Sequence, residues 1–113
     1  MSNPTPIAVA QIDIAIADRE RNLARMIQVL EETAAKGAAL TIFPEAALAG
    51  YCFDSLDEAR PHAEPIPGPS TQRMTEVCRK LKCCVIYGLL EADGDRIFNA
   101  CVLVGPEGVV GSY

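Results

Sequence analysis

Residues 6–13 and 38–43 are two short, nearly unbroken apolar runs, and the segment between them carries apolar side chains at helical spacing. An apolar run rich in Ile and Val, without polar alternation, suits a strand buried on both faces. Across 19–36, Leu23, Met26, Ile27, Leu30 and Ala34 make one apolar stripe on an otherwise charged helix. Asp18 stands where an N-cap is needed, and Gly37 where the helix must end. Strand, helix, strand in this order predicts parallel strands joined by a right-handed crossover, and therefore an α/β fold.

The remaining residues extend that pattern. Pro44 has no amide donor and closes the second strand, and Gly50 marks a turn. Ser55 with Glu58 forms a capping-box pair ahead of a short helix, and the prolines at 61, 65, 67 and 69 predict an irregular connection. Ser70 or Thr71 is expected to cap the next helix, with Met74, Val77, Cys78 and Leu81 on its apolar face. Lys80 and Lys82 suit the negative end of its dipole. Strands at 83–90 and 96–104 flank Asp93-Gly94-Asp95, a hairpin signal, and a further strand starts at Val109 after the turn at 106–108. The expected organisation is one domain over residues 1–113, incomplete at its C-terminal edge.

Composition narrows the partners. A formal net charge of -5 repels a phosphate backbone or an anionic membrane, so neither nucleic acid nor a lipid surface is expected. Arg19, Arg21 and Arg25 share their helix with Glu20, Glu31 and Glu32, which reads as a solvated mixed-charge face. The five cysteines are odd in number and follow no secretory signal, which points to a reducing cytoplasm. No Cys-x-x-Cys or Cys-x-x-His pair is present to begin a structural zinc site, and no metal or other cofactor is expected.

Glu45 is the candidate for chemistry. It follows a strand-ending Phe43-Pro44, where α/β sheets place their working groups, and four apolar residues come after it. Apolar surroundings would raise its pKa toward that of a general base near neutral pH. On the local pattern alone, an ordinary exposed or salt-bridged glutamate at a strand end is the better reading.

Motif order along the whole chain adds a second argument. Ile7-Ala8-Val9-Ala10-Gln11, Asn22, Gly37-Ala38-Ala39-Leu40, Phe43-Pro44-Glu45 with Gly50-Tyr51, Gly68-Pro69, Gly88-Leu89-Leu90-Glu91, Asn99 and residues 108–113 occur in sequence. Together they resemble the nitrilase superfamily of carbon–nitrogen hydrolases, and Phe-Pro-Glu followed by Gly-Tyr is the most specific element. The resemblance implies the N-terminal part of a four-layer α-β-β-α sandwich. It also implies a Glu-Lys-Cys mechanism in which a thiolate attacks an amide or related carbon and forms a thioester, with Glu45 as the catalytic base. A small-molecule amide or N-carbamoyl substrate and a homo-oligomer at full length are the further expectations it carries.

The family's lysine follows the Gly-Ser-Tyr element, and its cysteine comes later, so both fall beyond Tyr113. Cys78, Cys83, Cys84 and Cys101 read as buried small hydrophobes inside a helix or strands, while Cys52 is expected to line the pocket. Tyr51 either lines the substrate pocket or packs at its turn. Asn99 is read as a buried amide bonded to nearby backbone, and His62 as a solvated loop residue. A non-catalytic α/β interaction module, or a degraded pseudoenzyme, is the competing reading.

Overall fold

The structure, a computed structural model, describes residues 4–113. In chain order it contains β1 (Ile7–Val9), α1 (Arg19–Ala35), β2 (Leu40–Ile42), α2 (Leu56–Ala59), a 3₁₀ turn (Arg60–His62), α3 (Pro69–Leu81), β3 (Cys84–Asp93), β4 (Arg96–Gly105) and β5 (Gly108–Ser112). The strands form one sheet in the order β1-β2-β3-β4-β5. β1, β2 and β3 run parallel, and β3, β4 and β5 antiparallel, as the crossover and hairpin signals predict.

Local chemistry explains the element ends. Asp18 accepts from the Arg21 amide at 3.2 Å and caps α1, and Gly37 follows its end at φ +94°. Ser55 caps α2 by accepting from the Glu58 amide, whereas the Glu58 carboxylate reaches back to the Asp54 amide rather than to Ser55. For α3 the expected cap is displaced: Gly68 is the N-cap, and Thr71 reaches back to accept from its amide at 2.8 Å. Pro69 fits the first helical position because the amide it lacks would have no partner there. β1 is shorter than the 6–13 run, since β2, its partner strand, is itself three residues long.

Helices α1 and α3 cover one face of the sheet. Met26 and Leu30 of α1 and Met74, Val77 and Cys78 of α3 pack with Val85, Tyr87 and Leu89 of β3 and Val102 and Val104 of β4 in a single core. Among the described residues, neither α1 nor α3 reaches the opposite face. Register places Val9, Ile42, Ile86, Leu103 and Gly111 side by side across it, and Ile7 and Val9 are exposed. An apolar sheet face of this extent, open to water, favours association. A chain of residues 1–113 expressed alone is therefore expected to self-associate and to bind apolar dyes, as checked by sedimentation and fluorescence. A sharp cooperative melt of a clean monomer would contradict this.

Candidate active site

β2 delivers Glu45 to its place through a sequence of backbone constraints. Phe43 donates to Ile86 at 2.8 Å, and Pro44, with no donor, leaves the ladder but still accepts from Gly88 at 3.3 Å. The chain then turns through residues 45–49, with Ala46 in the left-handed region at φ +53° and the Gly50 amide bonded back to Ala46. Leu48 donates to the Gly88 carbonyl at 3.1 Å. Residues 46–50 are buried, so the turn is fixed to β3 while the Glu45 side chain stays outside.

A second anchor approaches from α1. Asn22, 2% exposed, accepts from the Ala15 amide at 2.8 Å and donates to the carbonyls of Ala15 at 2.7 Å and Leu48 at 2.9 Å. Ala17 also donates to Ala49. The loops leaving β1 and β2 are thus joined, with the polar groups of the buried amide matched to backbone.

The carboxylate meets one donor on each oxygen. The Tyr51 hydroxyl donates to Oε2, and the Asn99 side-chain amide donates to Oε1. Glu45 and Asn99 lie on the rim of an open depression of about 390 Å³ walled by Phe43, Pro44, Gly88, Ala100, Cys101 and Tyr113. Here the expected pKa direction is reversed. The Tyr51 hydrogen bond first, and the Asn99 bond second, hold the Glu45 carboxyl below its ordinary value, while slight desolvation acts in the opposite sense. An apolar sequence context does not bury this side chain, because the apolar residues after it turn inward beneath it. The bond to Glu45 in turn holds the Tyr51 hydroxyl above the usual phenol value. Glu45 is therefore a carboxylate at neutral pH, able to receive a proton.

The other expected residues divide. Tyr51 is half-exposed and its hydroxyl bonds Glu45, and it is absent from the walls of the depression. Cys52 is exposed, has φ +73°, and is absent from the walls of the depression. Asn99 is exposed and bonds the carboxylate instead of backbone. Cys78 and Cys83 are buried as expected, and burial pushes the Cys78 thiol up to about 12. Cys101 departs from expectation: it is exposed on the face opposite α1 and α3, where it walls the Glu45 depression. His62 stacks on Phe53 with ring centroids 5.3 Å apart.

The sequence reading also missed a buried carboxylate. Glu64 is 4% exposed, accepts from the Ser70 amide at 2.9 Å and from the Ser70 hydroxyl, and pairs with Arg19 at 3.4 Å. Ser70 also shares a hydrogen bond with Tyr87, so α1, α3 and β3 meet at one polar knot. Arg19 is accordingly more than part of a solvated face. Among the described residues no group of three or more His, Cys, Asp or Glu could hold a metal, and no helix is long and apolar enough to cross a membrane.

Helices on one face of a mixed sheet, with a carboxylate just past the end of a parallel strand, define one α/β layer. The model of the carbon-nitrogen hydrolase family matches residues 6–113. A nitrilase of Pyrococcus abyssi is 32% identical over 108 residues, covering 95% of this chain and 41% of its own length. Human omega-amidase NIT2 is 32% identical over 111 residues, covering 94% and 38%. A crystal structure of an N-terminal amidase superposes with a TM-score of 0.81 at 24% identity, over 95% of this chain and 27% of the other. This chain belongs to the carbon–nitrogen hydrolase family, the nitrilase superfamily, and spans 28–41% of the length of the curated relatives it matches.

Proposed function

We propose that Glu45 is the general base of a hydrolase that cleaves a carbon–nitrogen bond in a small-molecule amide, with its lysine and cysteine partners supplied by residues outside this chain. The observation that carries the reading is the Glu45 carboxylate, bonded by Tyr51 and Asn99 at the edge of an open depression. In this scheme Glu45 takes the proton of a cysteine thiol, and the thiolate adds to the amide carbon. The lysine stabilises the resulting oxyanion. The C–N bond breaks, the nitrogen leaves with the proton that Glu45 had taken, and a thioester remains. Water then attacks the thioester, Glu45 accepts a proton from it, and the carboxylic acid and free thiol are released.

The relatives named omega-amidase favour an omega-amide as the first substrate to test, with N-carbamoyl compounds as the next class. A homo-oligomer is part of the same proposal. The test is ammonia release from succinamate by the protein expressed at the full length of its reading frame, with intact mass recorded under turnover. Release accompanied by a succinyl adduct on one cysteine supports the scheme. Failure to hydrolyse succinamate, an N-carbamoyl amino acid and a simple nitrile alike would remove the enzymatic reading.

A further inference from the structure

We infer that Asn99 and Tyr51 are positioning residues that clamp the two oxygens of Glu45 and hold its carboxylate in the orientation that receives a proton. The inference rests on Glu45 being the base and adds which neighbours make it one. The bonds are distributed singly, with Tyr51 on Oε2 and Asn99 on Oε1. Each carboxylate oxygen has two acceptor sites, so each keeps one free after its bond is made. The plane of the group is fixed from two sides by donors that belong to different elements: Tyr51 follows the Glu45 turn, and Asn99 lies in β4, 54 residues away from Glu45 in sequence.

The two donors are chemically unlike. A phenol hydroxyl can give a hydrogen bond to the anion or rotate to accept one from the acid. The side-chain NH₂ of an asparagine only gives, so Asn99 on Oε1 favours the charged form and cannot follow protonation without turning its amide over. Donors to a carboxylate stabilise its ionised state and lower its pKa, in agreement with the direction found for Glu45. The other titratable groups facing the depression are Cys101 of β4 and Tyr113 beyond β5; β3 contributes only Gly88 there. Among the described residues, Tyr51 and Asn99 are the side chains bonded to the Glu45 carboxylate.

The experiment compares parent, Asn99→Leu, Asn99→Asp and Tyr51→Phe in the full-length protein. The Glu45 side-chain carboxyl is titrated by carbon NMR, assigned by its absence in Glu45→Gln, and pH profiles of kcat and KM are recorded on succinamate. Asn99→Leu is expected to move the carboxyl midpoint and the acid limb of kcat/KM upward. Asn99→Asp moves both further, because it replaces a donor with a like charge. Tyr51→Phe moves them in the same direction, and kcat falls roughly tenfold or more in each variant while KM changes less. Asn99 is exposed, so folding is expected to survive, and the titration reads the folded protein directly. Unchanged midpoints in the Asn99 variants overturn the clamp. If Glu45→Gln is inactive in the same assay, the base survives that result; if Glu45→Gln remains active while the midpoints shift, the base fails and the clamp stands.

Discussion

Glu45→Gln is expected to lower kcat by about 10²–10⁴-fold, the range a positioned general base contributes, with the fold intact. Glutamine keeps the length and planarity of the side chain but cannot hold the thiol proton. Its carbonyl can accept from one of the two donors, and the Tyr51 hydroxyl can rotate to accept from the new amide. Glu45 belongs to no core cluster of this chain, so the fold of the layer that carries it should survive the substitution. Ammonia release and thermal melts on the full-length protein check the two halves separately. The pH sign follows from the same carboxylate. Because its folded pKa is depressed, the ionised form persists below the ordinary glutamate range and is lost only as pH falls through the lowered value, so the acid limb should be displaced downward. Turnover by the glutamine variant within a few fold of the parent ends the assignment of Glu45.

Gly88→Ala should damage the same site without touching a charged group. An added methyl at Gly88 would stand 2.8 Å from both Cα and the carbonyl carbon of Glu45, and closer still to the Ala46 amide nitrogen. All three are backbone atoms, so no flexible side chain can yield. Either β3 or the turn must move, and Gly88 also holds that turn through its bonds with Pro44 and Leu48. Overpacking of this kind costs about 1–3 kcal/mol. Moving the carboxylate by about 1 Å costs roughly a further 10²-fold in rate. Denaturant melts and kcat measured together should show both losses. A variant with parent stability and parent kcat would mean the turn has slack that the structure does not show.

Much of the scaffold was legible because periodicity reports burial directly. The stripes containing Met26 and Leu30, and Met74, Val77 and Cys78, do face the sheet, and the Asp-Gly hairpin signal falls at the β3–β4 turn. What sequence pattern could not settle was which face of β4 the helices would cover. Residues 96–104 are apolar at both parities in their middle, so Cys101 and Asn99 read as buried when they belong to the open face. Glu64 was invisible for a related reason. Its partner Arg19 is 45 residues away, and a carboxylate in a proline-rich connection carries no local sign that it will be buried. At α3 a threonine near the helix start resembles a cap, but Thr71 sits three residues in and reaches back to the Gly68 amide, with Gly68 ahead of Pro69 as the N-cap. The position of Glu45 after β2 was foreseen, while its charge state was not, because polar partners far along the chain outweigh greasy neighbours beside it.

The sheet's strand order, the same in space as along the chain, has a consequence for how the molecule is made. As synthesis proceeds from the N-terminus, each newly emerging strand finds its neighbour already laid down, and none must wait for a distant partner to be threaded between existing ones. By the time Asn99 leaves the ribosome, the carboxylate it will grip is already translated and the strand beside it is complete. Glu45, Tyr51 and Asn99 can therefore come together as soon as β4 has paired with β3.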